Sequence, residues 1–231
     1  MKCIVPLAGP DIYNNKYGLK PAYEIDGEPL LYKALHSRHW YGQVINEEDL
    51  IFVLRDFEQL KGLQQLLTSL FPKGRQLIIP DLTRGALMTT LAGTSIIEDY
   101  SETIVVDLVD ILFTSDFKPE EIFEKDESIS GIIPYFESKH PQYSYLEIDN
   151  YSNVLRTREK KVISNYASAG VYFFKNLSIF LASVQYSIDN ESYISFKSKL
   201  FLCPSFNGII NEKYNVKAIE VNIVNQISLL W

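Results

Sequence analysis

At 231 residues and 46% hydrophobic content, the chain has the length of one large α/β domain or two small ones and ample apolar material for a core, which excludes a disordered protein. Its net charge of -7 excludes a general binder of nucleic-acid backbones, which presents a basic face. No stretch approaches the about 20 apolar residues that span a bilayer, and the strand-like N-terminus lacks the basic flank and cleavage site of a secretory signal, so the expectation is a cytoplasmic protein with no membrane partner.

Lys2–Leu7 reads as a strand. Residues 29–40 read as a helix, with Leu30, Leu31, Ala34 and Leu35 at helical spacing and Pro29 in the first turn. A second strand spans 50–54. A second helix spans 57–70, with Leu60, Leu63, Leu66, Leu67 and Leu70 on one face and Pro72-Lys73-Gly74 after it. A third strand at 77–79, a third helix at 86–97 and a fourth strand at 103–106, continuing toward Asp110, complete the pattern. The strands are near-continuous apolar runs, as in parallel strands buried on both faces. Their alternation with helices predicts a doubly wound sheet with right-handed crossovers. Ligands then sit beyond the carboxyl ends of the strands, so the segments after Leu7, Pro80 and Val106 are expected to converge on one cleft.

Beyond about residue 125 the pattern changes. Strands are expected at 130–136, 144–148, 153–156 and 169–174, with a turn at Asp149-Asn150 and a helix at 178–186. Antiparallel hairpins follow from that spacing. With no low-complexity linker or internal repeat, the chain reads as one domain over 1–231, its second half binding substrate.

Four places could carry chemistry. In the opening loop, Gly9 lets backbone amides approach a ligand and Lys20 offers a point charge to a phosphate; a plain β-α turn with a surface lysine is the alternative. At Thr83-Arg84-Gly85-Ala86 the third helix opens, where Thr83 caps it or its bare N–H groups receive an anion or base edge. Asp107 and Asp110 end an apolar strand, where an unpaired carboxylate is costly and a hard divalent cation shared with substrate phosphates would offset the cost. Glu159-Lys160-Lys161 precedes the small residues Ala167, Ser168, Ala169 and Gly170, which leave room for a ligand beside the backbone; a solvated charge run is the alternative. Cys3 and Cys203 lie in apolar runs and read as buried free thiols. His36, His39 and His140 do not cluster, and no Walker loop, nucleophile elbow or zinc spacing occurs.

PLAG at 6–9, Lys20-Pro21 and IDGEPLL at 25–31, then HPQYSYLEID at 140–149 and EKKVISNYASAGVYFF at 159–174, occur in the order seen in the sugar nucleotidyltransferases, the nucleoside-diphosphate-sugar pyrophosphorylases. The chain resembles that family over most of its length. CPSFNGII at 203–210 is similar to a late segment of capsule-associated members. The resemblance implies a three-layer, mixed but largely parallel Rossmann-like sheet of the glycosyltransferase-A-like kind. Residues 1–125 would bind the nucleotide and 126–231 the acceptor.

By the same resemblance, Leu7, Ala8 and Gly9 would hold base and ribose through backbone groups, and Gly85 would lie against the base. Lys20 would contact the phosphate under attack and Asp110 would hold Mg²⁺. Glu159 would receive acceptor hydroxyls and Lys160 the acceptor phosphate, with Gly170 and Asn207 beside them. The implied reaction joins a nucleoside triphosphate to a sugar 1-phosphate, or another phosphorylated small molecule, and releases pyrophosphate. Two departures stand out. The family's G-x-G-[ST]-R loop reads GPDIYNNKYGLK here, without the arginine that grips the triphosphate, so Lys16 is its nearest substitute. The second metal-binding aspartate near the end is also absent, with Asn222 its weak replacement. These departures motivate a second reading, a non-catalytic nucleotide binder of the same fold. A third is a glycosyltransferase, although Asp107 and Asp110 are three apart rather than in Asp-x-Asp. Base, acceptor and a homo-oligomeric state are left open.

Overall fold

The computed structural model describes residues 1–226. In chain order, β1 (Lys2–Leu7) is followed by two small hairpins, β2 (Tyr13–Asn14) with β3 (Gly18–Leu19) and β4 (Glu24–Ile25) with β5 (Glu28–Pro29), and then by α1 (Leu30–His36). Next come β6 (Leu50–Arg55), α2 (Leu60–Leu70), β7 (Arg75–Ile79), α3 (Ala86–Thr94) and β8 (Ile104–Asp107). The connection β9 (Ile111–Thr114) and α4 (Pro119–Lys125) leads into β10 (Ile129–Glu137), β11 (Tyr145–Ile148), β12 (Val154–Arg158), β13 (Tyr166–Ser168) and β14 (Val171–Phe174). The remainder is α5 (Leu177–Asp189), α6 (Glu191–Ile194), α7 (Leu202–Asn211), β15 (Asn215–Glu220) and β16 (Asn222–Gln226).

A ten-stranded sheet runs through both halves in the order β12-β11-β13-β10-β14-β8-β1-β6-β7, with β15 paired to β10. The apolar runs behave as expected. β8, β1, β6 and β7 are mutually parallel, with Ile4 opposite Val106 and Val5 opposite Phe52. Along these strands Ile4, Val5, Phe52, Val53, Val105 and Val106 are completely buried, because helices cover both faces. Leu31, Leu35, Leu63 and Leu67 from α1 and α2 pack one face. Leu87 from α3, Phe180 from α5 and Phe206 from α7 pack the other. The second half joins antiparallel, β14 lying against β8 with Tyr172 opposite Val106. Among the described residues no helix is long and apolar enough to cross a membrane.

Several elements differ from the sequence reading. The strand expected to continue toward Asp110 stops at Asp107, whose Oδ1 accepts the Val109 N–H at 2.8 Å and turns the chain, with Val109 at φ 53°. The strand expected over 169–174 is β14, which begins only at Val171, after Gly170 at φ 77°, and a separate short strand, β13, precedes it. α7 went unread, because CPSFNGII contains both proline and glycine; Pro204 falls in the first turn, where a missing N–H is harmless. The helices expected over 29–40, 57–70 and 86–97 are each shorter, at Leu30–His36, Leu60–Leu70 and Ala86–Thr94.

Candidate active site

The carboxyl ends of β1 and β8 open into a cleft of about 450 Å³. As the parallel topology requires, the segments after Leu7, Pro80 and Val106 meet there. Leu7, Ala8 and Gly9 form one wall, Leu82, Thr83 and Gly85 a second, and Leu108, Val109 and Asp110 the floor. The second half closes the cleft with Ser144, Glu159, Lys160, Gly170 and Tyr172.

The floor rests on a buried ion pair. Arg38 and Asp107 each expose 1% of their side chain. The Arg38 Nε donates to Asp107 Oδ2 at 2.8 Å and Nη2 to Oδ1 at 3.2 Å. Nη2 also reaches the Ile111 carbonyl at 3.0 Å, and the guanidinium lies 3.9 Å from the Phe113 ring centroid. The two carboxylates weighed together in the sequence therefore separate. Asp107 clamps the β8–β9 turn onto Arg38 and is withdrawn from the cleft. Asp110, beyond that turn, is delivered into it.

Asp110 faces Lys20. The Lys20 Nζ lies 3.3 Å from Asp110 Oδ2 and 3.0 Å from Asp11 Oδ2. Lys20 exposes only 9% of its side chain, Asp110 26% and Asp11 55%. Burial pushes the Asp110 carboxyl up; Lys20 pulls it down without cancelling that, and Asp11 adds to the rise, so it ends above its ordinary value. Burial opposes the charge on Lys20, but Asp110 and Asp11 outweigh it and hold the ammonium above its ordinary value. Burial also works against the Asp11 carboxylate, and Lys20 overcomes it, leaving Asp11 below its ordinary value. Asp11 escaped the sequence reading. Its signal was the preceding Gly9, where a Cβ would lie 2.5 Å from Asp11 Oδ1.

At the second wall, Gly85 has φ 112°, and a Cβ there would come within 2.2 Å of the Leu200 carbonyl oxygen. Its glycine thus serves the α3–Leu200 packing as well as the cleft. Thr83 does not cap α3: its hydroxyl donates to the Gly85 carbonyl at 2.9 Å and lies 2.6 Å from the Thr89 hydroxyl. Arg84 points away and pairs with Glu191. Lys16 is not brought to the cleft lining; its ammonium sits 4.5 Å from the Tyr17 ring centroid on the β2–β3 hairpin. It is not placed to substitute for the loop arginine.

Opposite Lys20, Glu159 and Lys160 both line the cleft. Lys160 has φ 49° and donates its N–H to the Tyr143 carbonyl at 3.1 Å. This left-handed step turns the chain so that adjacent side chains share one wall. The Ser144 hydroxyl donates to Glu159 Oε2. Burial raises the Glu159 carboxyl to about 7, against the lowering effects of the Ser144 hydrogen bond and Lys160. Gly170 also lines the cleft, and its carbonyl accepts the Leu108 N–H at 3.0 Å, tying this wall to the floor. Asn207 stands behind the wall. Its Oδ1 accepts the Thr157 N–H at 2.9 Å and its Nδ2 donates to the Thr157 carbonyl at 3.1 Å, stapling β12 to α7 two residues before Glu159. Asn222 pairs with Thr114 at the end of β9 remote from Asp110. Cys3 and Cys203 are buried free thiols, as read.

The Glu159 value carries a pH prediction. Folding lifts this carboxyl from its ordinary 4.5 to about 7, so the folded chain keeps a proton that the unfolded chain releases. The resulting stability penalty is absent below pH 4.5, grows between there and pH 7, and is complete above. Glu159→Gln, which removes the titration, is expected to raise the melting temperature at pH 8 relative to wild type and to leave it unchanged at pH 4.5. Melting curves at the two pH values check it.

Asp110, a quarter exposed on the cleft floor, could hold a hard divalent cation that completes its shell with phosphate oxygens and water. Among the described residues no group of three or more His, Cys, Asp or Glu gathers, so protein alone would not fill that shell.

No protein-family model and no curated protein matches the chain. Solved structures do. A nucleoside-diphosphate-sugar pyrophosphorylase from Vibrio cholerae superposes with a TM-score of 0.78 at 19% identity, covering 95% of this chain and 91% of that one. A Bacillus anthracis protein assigned as a glucose-1-phosphate thymidylyltransferase, in complex with a sucrose, gives 0.71 at 15% identity, covering 97% and 88%. A UDP-glucose pyrophosphorylase complexed with UDP-glucose gives 0.69 at 15% identity, covering 96% and 91%. At these identities the likeness defines the fold: a mixed α/β protein with the largely parallel central sheet of the nucleotidyltransferases.

Proposed function

We propose that the cleft transfers a nucleotidyl group. A phosphate oxygen of a sugar 1-phosphate, or of a similar phosphorylated metabolite, attacks the α-phosphorus of a nucleoside triphosphate. The α–β anhydride bond breaks, pyrophosphate leaves, and a nucleotide-activated product remains. The observation that carries this reading is the pairing of the two walls: Lys20 with Asp110 on one side and Glu159 with Lys160 on the other, in one cleft.

The attacking oxygen is already anionic, so no general base is required and catalysis reduces to positioning and charge neutralisation. Backbone groups of Leu7, Ala8, Gly9 and Gly85 hold base and ribose. Lys20 donates to the phosphate under attack. Lys160 holds the acceptor phosphate and Glu159 its hydroxyls, while Gly170 keeps that wall against the floor. Asp110 would hold Mg²⁺, which when bound neutralises phosphate charge. In this reading the partners are the triphosphate and the acceptor, and the likeness of CPSFNGII to capsule-associated members supports a product used in capsule polysaccharide biosynthesis.

The test is incubation with each common nucleoside triphosphate, Mg²⁺ and a panel of sugar 1-phosphates, scored for pyrophosphate and for the mass of the joined product. Joined product in one combination supports the reading. Binding of a triphosphate without product in any combination supports the non-catalytic reading, which the missing loop arginine and the doubly paired Lys20 favour. The glycosyltransferase reading loses its second acid, because Asp107 is held by Arg38.

A further inference from the structure

We propose that Asp11 is a built-in occupant of the phosphate subsite: its carboxylate holds the Lys20 ammonium until an incoming polyphosphate displaces it, and so lowers the affinity of the cleft for phosphate. The inference rests on the nucleotidyl-transfer reading, which makes Lys20 a phosphate ligand.

Three observations carry it. First, Lys20 is not a free cation. Its Nζ is 3.0 Å from Asp11 Oδ2 and 3.3 Å from Asp110 Oδ2, so two acids share one ammonium. Second, the two acids are not equivalent. Asp110 is a quarter exposed on the floor, whereas Asp11 exposes 55% of its side chain on the opening loop. Only Asp11 can exchange Lys20 for water without stranding a carboxylate in the protein. Third, the position is built. Asp11 stands in the short 3-10 turn Pro10–Ile12 directly after the loop glycine, and a Cβ on Gly9 would lie 2.5 Å from its Oδ1.

The charge balance gives the device its effect. Lys20, Lys160 and Lys199 line the cleft together with Asp11, Asp110 and Glu159. The sequence supplies no loop arginine to tip the balance, and Arg84 is turned outward to Glu191. A phosphate must therefore outcompete a carboxylate already in hydrogen-bonding range of Lys20. A single phosphate gains little by that exchange, and a polyphosphate chain, with several contacts, gains more.

The experiment measures binding, independent of base and acceptor, by calorimetric titration with inorganic tripolyphosphate and with inorganic phosphate. Wild type, Asp11→Asn, Asp11→Ser and the same changes in a Lys20→Met background are compared at one salt concentration. Asp11→Asn and Asp11→Ser are expected to tighten tripolyphosphate about tenfold, and inorganic phosphate less, by leaving the ammonium with Asp110 alone and removing a like charge. In the Lys20→Met background the gain is expected to be much smaller, because there is no ammonium to release. Unchanged or weaker binding in both Asp11 variants, or an equal gain with and without Lys20, overturns the proposal while leaving nucleotidyl transfer intact. If neither tripolyphosphate nor any nucleoside triphosphate binds wild type or variant, with or without Mg²⁺, both readings fall together.

Discussion

Lys20→Ala is expected to lower turnover about a hundredfold, the effect of losing one preorganised donor worth about 3 kcal/mol at the transition state. The geometry makes this residue hard to replace. Its ammonium reaches the cleft from a buried stem and is aimed by carboxylates on two sides. Lys160 and Lys199 line the same cleft, but among the described residues neither has an ion pair with Asp110. Lys16 is on the β2–β3 hairpin and Arg84 is paired with Glu191. The variant should also lose stability, because Asp110 is left on the floor without its counter-charge and already resists ionisation through burial. Lys20→Arg separates the two effects. It keeps a charge between Asp11 and Asp110 and should recover much of the stability, while a planar guanidinium misplaces the donor and recovers less of the rate. Near-normal turnover by Lys20→Ala in an active enzyme would make the opening loop a plain β-α turn. Melting curves and initial rates on the same preparations read both effects.

The second large effect is structural and lies beneath the site. Breaking the Arg38–Asp107 pair by Arg38→Ala is expected to cost about 3–5 kcal/mol, since it leaves a buried carboxylate unpaired. For a chain of this length that corresponds to a fall in melting temperature of roughly 10 °C. The loss should not stay local. Asp107 Oδ1 also holds the Val109 N–H, and Arg38 Nη2 holds the Ile111 carbonyl, so the turn presenting Asp110 is released from both ends. Replacing both partners together, as Arg38→Met with Asp107→Leu, is expected to cost less than either single change, because no charge is then stranded. Additive losses in the double variant would mean that the pair acts as two independent packing units.

The sequence carried the first half of the fold because there one kind of residue does one job. Ile51 to Leu54 and Ile104 to Val106 are apolar on both faces, and only a parallel sheet covered by helices on both sides uses such runs. Lys20, Asp110, Glu159 and Lys160 were legible for a related reason: charged residues next to turns at strand ends are the ones that topology gathers. What the sequence concealed were pairings made across long separations. Nothing local distinguishes Asp107 from Asp110; the partner that separates them, Arg38, is 69 residues away. Asn207 reads as a polar residue of the acceptor site, yet both ends of its amide are taken by the backbone of Thr157, 50 residues earlier. Asp11 was invisible because an acid in a phosphate loop contradicts the expected charge, and only the fold shows it neutralising Lys20.

The central claim is that one cleft brings a triphosphate and a phosphorylated acceptor together on opposite walls. It is tested most directly by following pyrophosphate release from the wild-type protein while triphosphate, sugar 1-phosphate and Mg²⁺ are each omitted in turn, with Lys20→Ala and Glu159→Gln in parallel. The account predicts release only when all three are present, a loss of about two orders of magnitude in Lys20→Ala, and in Glu159→Gln a rise in the acceptor Michaelis constant larger than that for the triphosphate. Release that continues without any acceptor, or that is unaffected in both variants, would contradict it.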